Sequence, residues 1–163
     1  MKKFIVLSIV LLMLAGFAIT SSAMDVTLWA GQNIEVGYLT VEVDVVEDNL
    51  VVTYYITNPE WELGDTHLYV GTIAPTKSAP GRFPYGPEDV VEEGKYIIDL
   101  EDYIGILYIA AQAEIGMIDE YGEPVLDDPD PEIGEQIEET VWADGTQIRS
   151  GKNWAMYFEF EVE

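Results

Sequence analysis

The densest grouping of chemically capable side chains is Asp127, Asp128, Asp130 and Glu132, interleaved with Pro129 and Pro131. Hard, oxygen-only ligands on a stiffened loop are the donor set that calcium prefers. The spacing is not the D-x-[DN]-x-[DN]-G run of an EF-hand, and proline at alternate positions suits a plain solvated segment equally well. Calcium is therefore the one cofactor this chain nominates, beside the simpler reading of an acidic loop in water. His67 is the only histidine, and the serines beyond residue 22 are Ser78 and Ser150, neither in a G-x-S-x-G setting. A hydrolase triad needs a histidine to carry the proton between nucleophile and substrate. Thr66 and Tyr69 beside His67 read instead as a strand residue with a satisfied ring. One histidine without any cysteine also makes a poor zinc site.

A glycosidase needs two carboxylates on opposite sides of a sugar bond. With 31 acids, some pair meets that separation by chance, so abundance carries no weight. Sugar binding is better served than sugar cleavage: Trp29, Trp61, Trp142 and Tyr85 offer flat faces for pyranose rings, with carboxylates to take the hydroxyls. Trp61, in Pro59-Glu60-Trp61-Glu62, is expected to face solvent, and Phe83 and Tyr85 sit between prolines and glycines in residues 74–87. Trp61, Phe83 and Tyr85 are thus the expected ligand surface, whereas alternation places Trp154 in the core.

These side chains must be positioned by strands, because the apolar periodicity is two. Leu39, Val41, Val43 and Val45 alternate with Thr40, Glu42 and Asp44; after Glu47-Asp48-Asn49, Leu50, Val52, Tyr54 and Ile56 alternate with Val51, Thr53, Tyr55 and Thr57. That pattern predicts an antiparallel hairpin. Trp154, Met156, Phe158, Phe160 and Val162 repeat it near the end of the chain. Shorter strands are expected at 26–29, 66–71, 96–100 and 106–113, the last apolar on both faces and so central and covered. Seven or eight strands in an all-β chain point to an antiparallel β-sandwich, Ig- or jelly-roll-like. Residues 74–87, with four prolines, predict an ordered hook, and residues 119–139, with ten acids and no base, a mobile or cation-ordered loop.

Lys2 and Lys3, the apolar run Phe4–Ile19 and Ser21-Ser22-Ala23 have the order of a secretory signal peptide. Residues 1–23 are read as this leader and residues 24–163 as one acidic domain, secreted or held at the cell surface. No second apolar run follows, so no transmembrane segment is expected after cleavage. Loss of Lys2 and Lys3 takes the formal net charge from −24 to −26. Such a surface repels nucleic acid and attracts cations and basic partners. Absence of cysteine excludes disulfides and a lipid-bearing cysteine.

The words Leu28-Trp29-Ala30-Gly31-Gln32, Thr66-His67-Leu68-Tyr69-Val70-Gly71, Ala79-Pro80-Gly81-Arg82-Phe83-Pro84-Tyr85, Leu107-Tyr108-Ile109-Ala110-Ala111, Glu139-Thr140-Val141-Trp142-Ala143 and Lys152-Asn153-Trp154-Ala155-Met156-Tyr157-Phe158 form an ordered set. The set resembles an uncharacterised β-sandwich module of secreted and surface proteins of bacteria and archaea. Arg82, Gln112 and Val141 depart from the module's usual pattern. The resemblance implies an extracellular location and brings no activity. The expected function is a non-catalytic interaction module whose partner is a surface polymer or an envelope protein. A carbohydrate-binding module, or a structural envelope component with a cation-ordered loop, are the alternatives.

Overall fold

The computed structural model describes residues 22–101, 103–151 and 153–163. The leader reading therefore falls largely outside the described residues. Ser22 and Ala23 are within them: the Ser22 carbonyl accepts from Val43 N–H at 3.0 Å, and Ala23 opens the first strand.

Nine strands follow in order: β1 (Ala23–Ala30), β2 (Ile34–Asp44), β3 (Asn49–Ile56), β4 (Trp61–Gly71), β5 (Lys95–Asp99), β6 (Gly105–Met117), β7 (Glu138–Ala143), β8 (Thr146–Gln147) and β9 (Met156–Val162). All pairings are antiparallel. The all-β antiparallel class holds. Hydrogen bonding joins the strands into one sheet, β5-β3-β2-β1-β7-β6-β9-β8 with β4 on the far edge of β6. The sheet is not closed into a barrel.

The predicted hairpin is β2–β3, paired from Gly37↔Ile56 to Asp44↔Asn49. Asp44 Oδ1 accepts from Val46 and Glu47 N–H, which folds the turn and leaves Val45 outside the strand and exposed. β2 begins five residues earlier than alternation suggested, because Val36 is a bulge residue opposite the Leu28/Trp29 register shift. The Val36 carbonyl then accepts from both Thr57 and Asn58 N–H, steering the chain off the end of β3.

Residues 106–113 do form the central strand. β4 lies along one edge of β6. On the other edge β7 pairs with Gln112–Gly116 and β9 with Gly105–Ile109, one after the other. Leu107, Ile109, Ala111, Ala113 and Ile115 enter the main core with Leu28, Leu39, Leu50, Leu68, Tyr96, Val141 and Phe160. Each such buried aliphatic contributes about 1.5–3 kcal/mol. Ala110 points the other way, into a second cluster with Trp142 and Ala155.

β1 meets β7 over only three residue pairs, Leu28–Ala30 with Val141–Ala143. Side chains of β3 and β5 reach across to β4 and β6. Tyr54 Oη donates to the His67 and Gln112 carbonyls at 3.1 and 3.2 Å. Tyr96 Oη contacts Thr66 Oγ1 at 2.7 Å and donates to the Thr66 carbonyl at 2.9 Å.

The acidic stretch 119–139 is folded on itself. Ile118 pairs with Pro124 and Leu126 with Gln136; Val125 donates to the Met117 carbonyl and Ile137 to that of Val125. Its carboxylates serve its own backbone. Asp119 Oδ1 accepts from Tyr121 and Glu123 N–H, and Asp127 Oδ1 from Glu135 N–H. The stretch is thus ordered in part by its own aspartates, which cap its turns.

Candidate functional site

The sequence-nominated ion ligands are not assembled. Asp128 Oδ1 accepts from Asp130 N–H and Asp130 Oδ1 from Glu132 N–H, at 2.9 and 3.0 Å. Among the described residues no three Asp, Glu, His or Cys side chains converge as an ion-holding group. Asp128 and Asp130 each cap a turn two residues on, and Asp127 ties the loop to Glu135. Charge should then respond to screening alone. Melting temperature is expected to rise with ionic strength, and by the same amount for calcium and magnesium chloride at matched ionic strength. A calcium-specific rise in a thermal melt would restore a dedicated site.

Of the expected ligand surface, Trp61 is a correction: it is only 7 % exposed and belongs to the main core. β4 starts at Trp61, whose partner is Met117 on β6, so the indole closes one end of the core instead of facing water. Phe83 and Tyr85 are half-buried on the hook. Tyr85 exchanges backbone hydrogen bonds with Leu68, and its ring meets Tyr96 edge-on at 6.4 Å. Burial foremost pushes the Tyr85 phenol up to about 12, with Tyr103 adding to it. Phe83 lies 6.0 Å from Tyr69 and 6.1 Å, edge-on, from Trp142. The prolines set the hook's path and these rings fasten it to the sheet.

His67 sits as the strand pattern suggested. Gln112 Nε2 donates to the Ala113 carbonyl at 3.0 Å, which turns Gln112 Oε1 toward His67 Nδ1 at 3.0 Å. Nδ1 therefore carries the proton in this pair.

The concave feature richest in recognition chemistry lies on the outer face. Leu28 and Ala30 point into the core, so Trp29 points outward, and it pairs directly with Trp142 on β7. The segment leading into β9 brings Trp154 and Met156 alongside. Together with Gln32 and Asp144 these residues line a groove of about 300 Å³. Trp154 was expected in the core. β9 begins only at Met156, so the phase shifts by one: Ala155 is buried and Trp154 stands half-exposed in the groove wall.

Gln32 reaches the groove from a tight β1–β2 turn in which Asn33 N–H donates to the Ala30 carbonyl. Gly31 has φ 52° and Gln32 φ 74°. Two successive left-handed residues are what this turn requires, and for a non-glycine the conformation costs about 1 kcal/mol. The chain keeps a side chain there despite that cost, and the side chain lines the groove.

Sequence reasoning named Trp29 and Trp142 as stacking faces but could not bring them together, because residues 138–143 were not read as a strand. The alternation Leu28-Trp29-Ala30 was the available signal. In comparisons with protein-family models, curated proteins and solved structures, the chain matches none.

Proposed function

We propose that this chain is an extracellular, non-catalytic binding module that holds a neutral sugar unit of a surface polymer in the Trp29–Trp142–Trp154 groove. The observation that carries the reading is two half-exposed indoles, Trp29 and Trp154, and a methionine around one concavity floored by the buried Trp142, with Asp144 and Gln32 at its polar positions. Indole faces take the C–H face of a pyranose, and a carboxylate with a carboxamide takes its hydroxyls. The resemblance to surface modules and the leader pattern accord with an extracellular setting. Engagement of His67 with Gln112 accords with the absence of a catalytic role.

A glycan array followed by calorimetry tests this. Trp29→Ala is expected to weaken the selected glycan about tenfold or more, while the melting temperature changes little because Trp29 is outside the main core. Gln32→Gly is expected to raise stability by about 1 kcal/mol, by relieving the left-handed turn, and to weaken binding at the same time. Asp144→Asn keeps a hydrogen-bond partner, so a neutral sugar loses little affinity. Absence of any glycan bound at millimolar concentration, or wild-type affinity in Trp29→Ala, would sink the proposal.

A further inference from the structure

Charge is distributed unevenly along the chain. No Asp or Glu occurs from residue 66 to 87, nor from 145 to 158, yet Lys77, Arg82, Arg149 and Lys152 all fall in these two stretches. The fold brings the stretches together. Arg149 Nε donates to the Thr76 carbonyl at 3.1 Å, and Asn153 Nδ2 donates to Ser78 Oγ at 2.5 Å. Tyr69 Oη donates to the Ile73 carbonyl at 2.6 Å and fixes the start of the hook. Beneath it lies a concavity of about 290 Å³ lined by Tyr69, Thr76, Lys77, Arg82 and Phe83, among others.

In a chain with 31 acids, cations used for solubility or structure would find carboxylates. Lys95 does, at 3.7 Å from Glu92, and this is the single ion pair among the described residues. Lys77, Arg82 and Arg149 have no carboxylate within ion-pair distance there. Lys77 and Arg82 line a concavity that also presents the rings of Tyr69 and Phe83, and Arg149 is bonded to the carbonyl of Thr76 in its wall. Fixed positive charge beside aromatic faces is the donor set for an anion carried on a ring. The rest of the surface repels anions, so this pole is where one can dock. At physiological salt, screening within about 8 Å confines the repulsion from elsewhere.

We infer that the hook pocket is a second binding site, independent of the tryptophan groove, for a single anionic sugar unit. Lys77 and Arg82 hold the carboxylate or phosphate, Arg149 pins the Thr76 backbone beside them, and Tyr69 and Phe83 hold the ring. The volume suits one ring, not a chain segment.

The test is a two-dimensional NMR titration of the folded protein at 0.15 M salt with glucuronate, glucose 6-phosphate, glucose and inorganic phosphate. The expected result is perturbation of the Tyr69, Lys77, Arg82 and Phe83 amides by an anionic sugar, at least tenfold tighter than by glucose or by phosphate alone. Which of the two anionic sugars binds tighter assigns the carboxylate or the phosphate as the natural group. Lys77→Gln/Arg82→Gln is expected to lose this binding about tenfold with its dispersed spectrum intact. Lys95→Gln and Trp29→Ala leave it unchanged, so failure here and failure of the groove are separately visible. Equal affinity for glucose would overturn the inference, as would equal affinity for inorganic phosphate. Loss in Lys95→Gln as large as in the double variant would overturn it too, and so would silence of the pocket toward both anionic sugars at tens of millimolar.

Discussion

Gly37→Ala is expected to cost about 4 kcal/mol or more, among the largest effects a single methyl can have. A Cβ built at Gly37 would stand 1.9 Å from the Tyr55 carbonyl oxygen and 2.9 Å from its carbon. Both atoms are backbone, so no rotamer can give way. β3 rides this close because the Val36 bulge bends β2 and its carbonyl gathers the two amides that follow β3. To admit the methyl, the ladder from Gly37↔Ile56 to Tyr38↔Tyr55 must part, and the Tyr38–Tyr55 stack at 5.0 Å with it. Given a total stability of about 5–15 kcal/mol, the melting temperature should fall by roughly 10–20 °C. Gly81→Ala is the control: a Cβ there meets nothing within 4 Å, and its melt should match the parent's. A Gly37→Ala melt within 2 °C or so of the parent would mean that β2 and β3 do not approach as described.

The second large effect lies where β3 and β5 meet β4 and β6 through side chains, without a ladder. Tyr54→Phe removes the proton shared by the His67 and Gln112 carbonyls, and Tyr96→Phe removes the partner of the Thr66 hydroxyl and carbonyl. Each deletion is expected to cost about 1–3 kcal/mol, because buried acceptors are left short of a donor. The double variant should lose less than the sum, since the two rings are neighbours at 6.3 Å. Alkali should act on the same place. Burial foremost, and then the neighbouring Tyr96, holds the Tyr54 phenol well above its usual value of 10.0, and burial likewise raises Tyr96. The folded state therefore keeps protons that the unfolded chain releases above about pH 10. Stability from this source is intact below pH 10 and falls as the pH rises beyond it. Denaturant melts at pH 8 and pH 11 should show the loss, and Tyr54→Phe should reduce it. Free titration of all tyrosines near pH 10 in the folded protein, read from phenolate absorbance, would contradict this account.

Much of the architecture could be read from residues whose burial follows a period of two. Leu39 to Val43 and Leu50 to Ile56 specify their hairpin because a one-residue slip would turn every valine to water. Leu107 to Ala113, apolar on both faces, specify the central strand for the same reason. The boundaries that failed lie where a bulge breaks the period: Val36 in β2, the Leu63/Thr66 shift in β4, and Ala155 before β9. Trp154 was misplaced by such a phase change, and Trp61 by its polar neighbours Glu60 and Glu62, which hide that it opens β4. For Asp127, Asp128 and Asp130, composition shows which oxygens are present but not that one oxygen of each caps an amide of the same loop. The groove needed a long-range pairing, β1 with β7, and local periodicity carries no information about partners. The basic pole was legible as two acid-free stretches, but only the fold shows that they touch.

β7 leaves the edge of β6 at Trp142, and β9 rejoins that edge at Phe158. Everything between is an excursion whose two ends are anchored by ladders that do not depend on what it contains. Asp144, Trp154 and Met156, which line the tryptophan groove, and Arg149, which bonds the hook at Thr76, all belong to it. Its exposed positions can change while the register of the frame stays as it was, provided Ile148 and Ala155 keep the excursion seated against Trp142.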